Sequence, residues 1–381
     1  MKQINPYKIA IALAVLSLLV ALVLTISGNI QNAGPAFIIF FIALAVGFRG
    51  FDHLKGFAYT VVIFAAVTTS LYYPQYFITL NGYKLSGLIT PLIQVIMFGM
   101  GTSMSFKDFA GVIKTPRGVF IGVFSHFIIM PLLGFSLAAI GINLFNFAPE
   151  IAAGVILIGC SPNGMASNVI SFLAKANLAL SITITAVSTM LSPLVTPVLM
   201  KLFAGALVEI NVLDMMWEII KMVIIPIGAG LLFNHFLSGK AKWLDASMPV
   251  VSMAGIAFII VIITAAGRDS LLTIGPALLL IVLVHNLCGY TLGYWSGRLF
   301  KMSERDCRTM AIEVGMQNGG LASGIAKEMG KIATVGLAPA IFGPLMNVTG
   351  SILASYWHKN SPKEFEQGYR EEAAQLASKH S

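Results

Sequence analysis

Two short islands of small and polar residues interrupt otherwise apolar stretches of the chain. One reads Gly159-Cys160-Ser161-Pro162-Asn163-Gly164-Met165-Ala166-Ser167-Asn168, the other Glu313-Val314-Gly315-Met316-Gln317-Asn318-Gly319-Gly320. Pro162 has no N–H to donate, and Gly164, Gly315, Gly319 and Gly320 let the backbone kink. Breaks of this kind persist at bilayer depth only where protein or a watery cavity covers the freed backbone. Freed carbonyls suit a hard cation, and the N-terminus of the half-helix that follows attracts an anion. Two broken segments at matching places in two halves of one membrane protein point to a transport site.

Glu313 is the most informative residue of either island. The chain has 16 acidic residues, nearly all in loops, at segment ends or in the tail; this one lies inside an apolar span. An unpartnered charge there costs roughly 2.5–3.5 kcal/mol or more, and a bound alkali cation would supply the missing positive charge. Two plainer readings stand beside that one. The carboxyl is protonated and structurally hydrogen-bonded, or, starting five residues after Arg308, it faces cytoplasmic water. Ser181 and Thr185 share a helix face at i and i+4. Their hydroxyls either bond back to their own helix or join Ser167, Asn168 and Glu313 in an all-oxygen cage that a hard cation prefers.

The elements that must position these residues follow from composition. Of 381 residues, 57% are hydrophobic and 10% charged, with mean hydropathy +0.85. Soluble domains carry about 25% charged residues, so the chain is an integral membrane protein. Its net charge of +8 fits basic cytoplasmic loops better than a nucleic-acid partner. Cys160, Cys288 and Cys307 form no CxxC pair and read as free, packed thiols. Twelve segments are apolar enough to cross a bilayer: 8–26, 35–48, 57–77, 86–104, 119–140, 151–173, 179–203, 216–235, 248–266, 273–297, 309–326 and 334–357. The first is read as an uncleaved helix rather than a signal peptide, and the second is short enough to be a tilted or partial span. With the N-terminus inside, 18 of the 24 Lys and Arg residues face the cytoplasm, which also puts the tail inside.

The first two spans, residues 1–56, form an extra hairpin. The remaining ten divide into two groups of five, 57–203 and 204–357, ahead of a cytoplasmic tail at 358–381. Because five is odd, the second group crosses in the opposite sense, which is the arithmetic of an inverted repeat. Each island falls in the fourth helix of its group. The expected fold is therefore an all-α integral membrane protein: a ten-helix core of two inverted five-helix repeats with two crossed discontinuous helices, plus an N-terminal helical hairpin.

In order and spacing, GCSPNGMASNV, SITITAVSTMLSPLVTP and EVGMQNGG, with MFGMG at 97–101, resemble the bile acid:sodium symporter family over residues 57–357. The resemblance implies a panel domain, a core domain and sodium-coupled uptake of organic anions by alternating access. It implies one Na+ site at Ser167, Asn168, Ser181, Thr185 and Glu313. A second would use Glu313, Gln317 and the carbonyls of Val314 and Met316. The family's second site also takes a glutamine from the third core helix, where this chain has His126, a poor Na+ ligand that could instead bond Glu313, take up a proton or simply pack. Anion recognition is expected from Asn318, Asn347 and the half-helix N-terminus at Ala166–Asn168. Relatives place a threonine at Met165 and a histidine at Met346, so the solute differs from the best-known cases.

The remaining signals carry little. Asn347-Val348-Thr349 matches a glycosylation pattern inside a span, and His235, His285 and His358 read as interfacial or packed residues near helix ends. No protease, hydrolase or P-loop motif is present. The expected activity is a bacterial inner-membrane symporter for Na+ and a small organic anion, with no cofactor, no nucleic acid and no enzymatic reaction. A proton-coupled transporter using His126 and Glu313 is the nearer alternative. An intramembrane metal-dependent enzyme is the more distant one.

Overall fold

The computed structural model describes residues 5–51, 54–105, 115–237, 242–361 and 365. Lys2, Lys107, Lys114, Lys240, Lys363, Arg370 and Lys379 of the charge count, and nearly all of the tail beyond 361, lie outside these. The described residues are almost wholly helical. Nine helices among them are long and apolar enough to cross a membrane, and the other expected spans are present as shorter or broken helices.

The chain falls into two compact units, Met1–Ser86 with Ala257–Asp269, and Gly87–Ile256 with Ser270–Ser381. In the first, α1 (Pro6–Ile26) and α2 (Ile30–Phe48) pack as a hairpin. Their buried residues are small: Ala14, Ser17 and Ala21 on one, Ala33, Gly34, Ala43, Ala45 and Gly47 on the other. Small residues let helix backbones approach closely where lipid offers no hydrophobic drive for association. Leu13, Leu16, Leu19, Val23, Ile39 and Ile42 are exposed, as lipid-facing side chains must be. The second span is longer than expected at 19 residues, because Pro35 is accommodated near its start.

The third span stops early. α3 (Ala58–Tyr72) ends before Pro74, and a turn at Gln75–Ile78 leads into a small antiparallel hairpin. Its strands, β1 (Thr79–Leu80) and β2 (Tyr83–Lys84), pair Thr79 with Lys84. Asn81 and Gly82 both have positive φ (49° and 81°), as a two-residue hairpin turn requires.

The second unit contains α4 (Ile89–Ser103), α5 (Pro116–Phe145), α6 (Pro149–Cys160), α7 (Ala166–Leu173) and α8 (Leu178–Ala204). It continues with α9 (Val212–Ile219), a π turn (Ile220–Ile224) and α10 (Ile225–Leu237). The last elements are α11 (Lys242–Ala266), α12 (Arg268–Leu299), α13 (Glu304–Gly315), α14 (Gly319–Glu328) and α15 (Leu337–Lys359). α11 and α12 begin or end in the first unit. α4 packs on α10 where Gly101 meets Gly230; a Cβ on either would strike backbone of the other helix. The core of this unit is α6, buried along its whole length from Ile151 to Cys160, and α13, buried from Cys307 to Gly315. These are the two helices that break.

Candidate functional site

α6 ends at Cys160 and the chain resumes as helix at Ala166; α13 ends at Gly315 and resumes at Gly319. Between them the two unwound segments lie side by side. Asn318 N–H donates to the Pro162 carbonyl (2.8 Å) and Gly164 N–H to the Met316 carbonyl (3.3 Å), making Asn163 and Gln317 partners in an isolated antiparallel bridge. Backbone groups freed by one break are thus satisfied by the other, as burial in an apolar medium demands. Gly164 is required here, since a Cβ would crowd the Gln317 carbonyl. Asn318 also caps α14, accepting from Leu321 N–H at 3.0 Å.

Glu313 is fully buried and does not face water. Its Oε1 accepts from the Ser181 hydroxyl at 2.5 Å and its Oε2 from the Thr185 hydroxyl at 2.9 Å. Neither hydroxyl bonds back to its own helix. Ser181 Oγ is also 2.9 Å from Asn168 Oδ1 and 3.1 Å from Ser171 Oγ. Thr185 Oγ1 is 3.3 Å from Asn168 Oδ1 and 3.2 Å from Ser167 Oγ. The structure therefore gathers Ser167, Asn168, Ser181, Thr185 and Glu313 from α7, α8 and α13. Ser171, absent from the sequence reading, joins them; its signal was its place four residues after Ser167 on one helix face. Among the described residues no Lys, Arg or His is ion-paired with Glu313. This cluster of carboxylate, amide and hydroxyl oxygens is chemically suited to a hard cation.

Ties at the helix ends hold these elements in place. Asn177 caps α8 by accepting from Leu180 N–H (3.1 Å), and it bonds Asp306 (2.8 Å) and Thr309 (2.9 Å) on the first turns of α13. Arg305 and Arg308 donate to the Ala176 and Ala174 carbonyls of the same loop. Ser181 and Glu313, each four residues beyond an anchored position, are brought to one level. At the start of α6, Glu150 pairs with Lys331 and accepts from Thr334 (2.6 Å) in the loop after α14. Asn286 on α12, another residue the sequence reading missed, donates to the Gly315 carbonyl at 2.8 Å and accepts from Thr349 at 2.6 Å. A polar pair inside two apolar spans was the available signal.

The residues around the bridge bond chiefly to backbone groups. His126 is fully buried on α5, with Nε2 2.9 Å from the Ser161 carbonyl and Nδ1 3.2 Å from Asn163 Nδ2. It meets Glu313 at the backbone carbonyl (3.2 Å) and makes no bond to the carboxylate. Both ring nitrogens thus lie within hydrogen-bond distance of protein groups. Gln317 donates to the Val314 carbonyl (3.0 Å), and the Met316 carbonyl accepts from Gly164. His285 is packed, fully buried with Nε2 3.0 Å from the Met130 carbonyl, but it lies in the middle of α12 and not near a helix end. His358 does sit at a helix end, on α15, near the Leu173 carbonyl.

Of the expected anion residues, Met165 is 38% exposed and Ala166 opens α7. Asn347 is half-buried on α15. It shares a face with Gly343 and Gly350, and those two glycines lie against Gly319 and against Met316 and Ile170. Cys160 and Cys307 are free and buried, and Cys288 is free and half-buried. No group of three or more His, Cys, Asp or Glu side chains converges among the described residues, so the donor set of a transition-metal enzyme is not assembled there.

A family model for the sodium bile acid symporters matches residues 90–274. The chain is 38% identical over 319 residues to an uncharacterized sodium-dependent transporter, YocS, of Bacillus subtilis (strain 168), covering 83% of this chain and 95% of that one. It is 30% identical over 310 residues to a probable chloroplastic sodium/metabolite cotransporter, BASS6, of Arabidopsis thaliana, covering 80% and 75%. It is 34% identical over 249 residues to the ileal sodium/bile acid cotransporter of Oryctolagus cuniculus, covering 64% and 70%. An apolar helical chain broken at two paired islands, and matched over most of its length by sodium-dependent transporters, belongs to the sodium bile acid symporter family and is a membrane transporter rather than an enzyme.

Proposed function

We propose that the protein couples the inward movement of Na+ to uptake of a small organic anion by alternating access. One observation carries the reading: a fully buried carboxylate, Glu313, has hydroxyl partners on α8, the helix that follows the other break, and among the described residues no cationic side chain is paired with it. A sodium ion held by Ser167, Asn168, Ser181, Thr185 and Glu313 supplies that charge. Loading it draws α7, α8 and α13 together and fixes the half-helix N-termini. Those termini, with Asn318 and Asn347, recognise the anion's carboxylate or sulfonate, while Met165 and Met346 give the pocket an apolar edge.

The repeat reading has support of its own. The loop after α7 is held by the first turns of α13, and the loop after α14 is held by Glu150 on the first turn of α6. Each broken helix thus clasps the end of the other, a reciprocal relation that two inverted repeats, 57–203 and 204–357, produce. The lysine and arginine count places both termini in the cytoplasm of a bacterial inner membrane. A proton relay is less well supported, because His126 addresses the Glu313 backbone and not its carboxylate.

Purified protein in proteoliposomes tests the proposal against a panel of radiolabelled bile-acid-like and small carboxylate anions. At least one anion is expected to accumulate about tenfold faster with an inward Na+ gradient than with K+. Uptake that ignores Na+ and follows an imposed pH gradient refutes it.

A further inference from the structure

An apolar groove runs between α5 and α8, on the side of α8 turned away from Ser181 and Thr185. Its volume is about 610 Å³, and every residue lining it is apolar. Phe120, Phe124 and Ile128 form one wall, and Val187, Leu191 and Val195 form the other. The rings of Phe120 and Phe124 stack with centroids 5.6 Å apart and planes 13° from parallel, so the first wall is flat. Both rings stay mostly exposed, at 69% and 55%, and the groove opens outward.

The two ends of the groove differ in kind. At the far end α5 and α8 meet again through Phe135 and Phe203, with ring centroids 5.6 Å apart. At the Pro116 end, Val119, Leu180 and Ile184 pack with Val123, Val187 and Met302 to make a floor. The surface over that floor is basic. Arg117 is exposed and donates from one Nη to the Phe300 carbonyl at 2.8 Å, which sets it beside the turn carrying Lys301, also exposed. A guanidinium has five N–H donors, so four remain for a ligand. Among the described residues neither Arg117 nor Lys301 pairs with a carboxylate, whereas Arg298 is paired with Glu304. The N-terminus of the 30-residue α5 adds partial positive charge at the same place.

Depth and charge together select the occupant. From Pro116 to Ile128 α5 rises about 18 Å, against about 15 Å for the hydrocarbon of one leaflet. A groove as deep as one leaflet, dry along its walls and basic at its mouth, matches a lipid whose headgroup is anionic. We propose that this groove binds one anionic phospholipid, with an acyl chain along the two walls and the phosphate held by Arg117 and Lys301. The lipid braces α5 against α8, the helix that carries Ser181 and Thr185. No residue of the Glu313 cluster lines the groove, so the proposal stands apart from the sodium reading.

Native mass spectrometry of the full-length protein tests it, by titration with phosphatidylglycerol or with phosphatidylcholine of the same acyl chains. Each basic residue at a lipid phosphate contributes about a fivefold factor. The wild type is therefore expected to hold one phosphatidylglycerol about 25-fold more tightly than phosphatidylcholine. Arg117→Gln and Lys301→Gln each leave a preference of about fivefold, and the double variant has none. Leu191→Trp fills the groove and weakens both lipids about tenfold at an unchanged ratio. Val198→Trp, on an exposed part of α8 outside the lining, leaves both affinities as they are. A wild-type melting temperature without added lipid shows that a variant is folded, and Val195→Phe replaces Leu191→Trp if the latter is not. Equal wild-type affinity for the two lipids means that bulk lipid fills the groove and overturns the proposal, as does an undiminished preference in the double variant. Displacement of the lipid by glycerol phosphate reveals a site for free phosphate and also overturns it. Unweakened binding in a folded groove-filling variant places the lipid elsewhere and overturns the groove assignment.

Discussion

Glu313→Gln isolates the charge of the buried carboxylate while keeping its shape and one carbonyl oxygen. Ser181 and Thr185 lie 2.5 and 2.9 Å from the two carboxylate oxygens, so an ion ligated by all three residues sits within about 4 Å of the carboxylate charge. At an effective dielectric constant near 20, that attraction is about 4 kcal/mol. Desolvation and retained oxygen ligands offset part of it. Taking half, about 2 kcal/mol, as the net loss predicts sodium affinity weakened about 30-fold. The readout is thermal unfolding of detergent-purified protein in NaCl against KCl at matched ionic strength. Sodium at a hundred times its dissociation constant stabilises the wild type by about 2.7 kcal/mol. At about 2 °C per kcal/mol for a chain of this size, that is a shift of about 5 °C. The same sodium concentration stabilises Glu313→Gln by about 0.9 kcal/mol, or about 2 °C. An undiminished sodium shift in the variant refutes the assignment of the charge.

Two further expectations concern the frame. Gly230→Ala forces a Cβ into Phe98 and Gly101 backbone and costs about 1–3 kcal/mol by overpacking, whereas Gly228→Ala on the same helix meets nothing and gains about 0.5–1 kcal/mol; comparing the two melting temperatures checks this. Asn286→Ala strands the Gly315 carbonyl at the end of α13, which lowers the melting temperature by about 2–6 °C.

Much of this architecture is legible because its signals are local. Runs of apolar residues mark spans, and Gly and Pro mark the two breaks, since nothing else explains helix-poor residues at bilayer depth. The Ser181–Thr185 spacing reads directly as a shared face. What was not legible depends on pairings distant in sequence. The Asn163–Gln317 bridge is set by where two helices cross, so nothing near Asn163 announces that its amide will be gripped by His126. Asn286 and Thr349 look like ordinary polar insertions until α12, α13 and α15 are packed. The second span was read short because α2 begins at Ile30 and carries Pro35 inside it, and the Asn81-Gly82 turn falls in the loop between the third and fourth expected spans.

The reciprocal stitching of the unwound segments also has a consequence for biogenesis. Asn163 and its partner at Glu313 are 150 residues apart in the chain. At about 5–20 residues per second of synthesis, the earlier half waits about 8–30 s for the later one. During that interval Gly164 N–H and the Asn163 side-chain amide lack their permanent acceptors and the Pro162 carbonyl lacks its donor, and lipid tails offer none. The ribosome-bound intermediate must therefore keep this break wet or shielded by the insertion machinery, and it seats fully only once the matching half arrives.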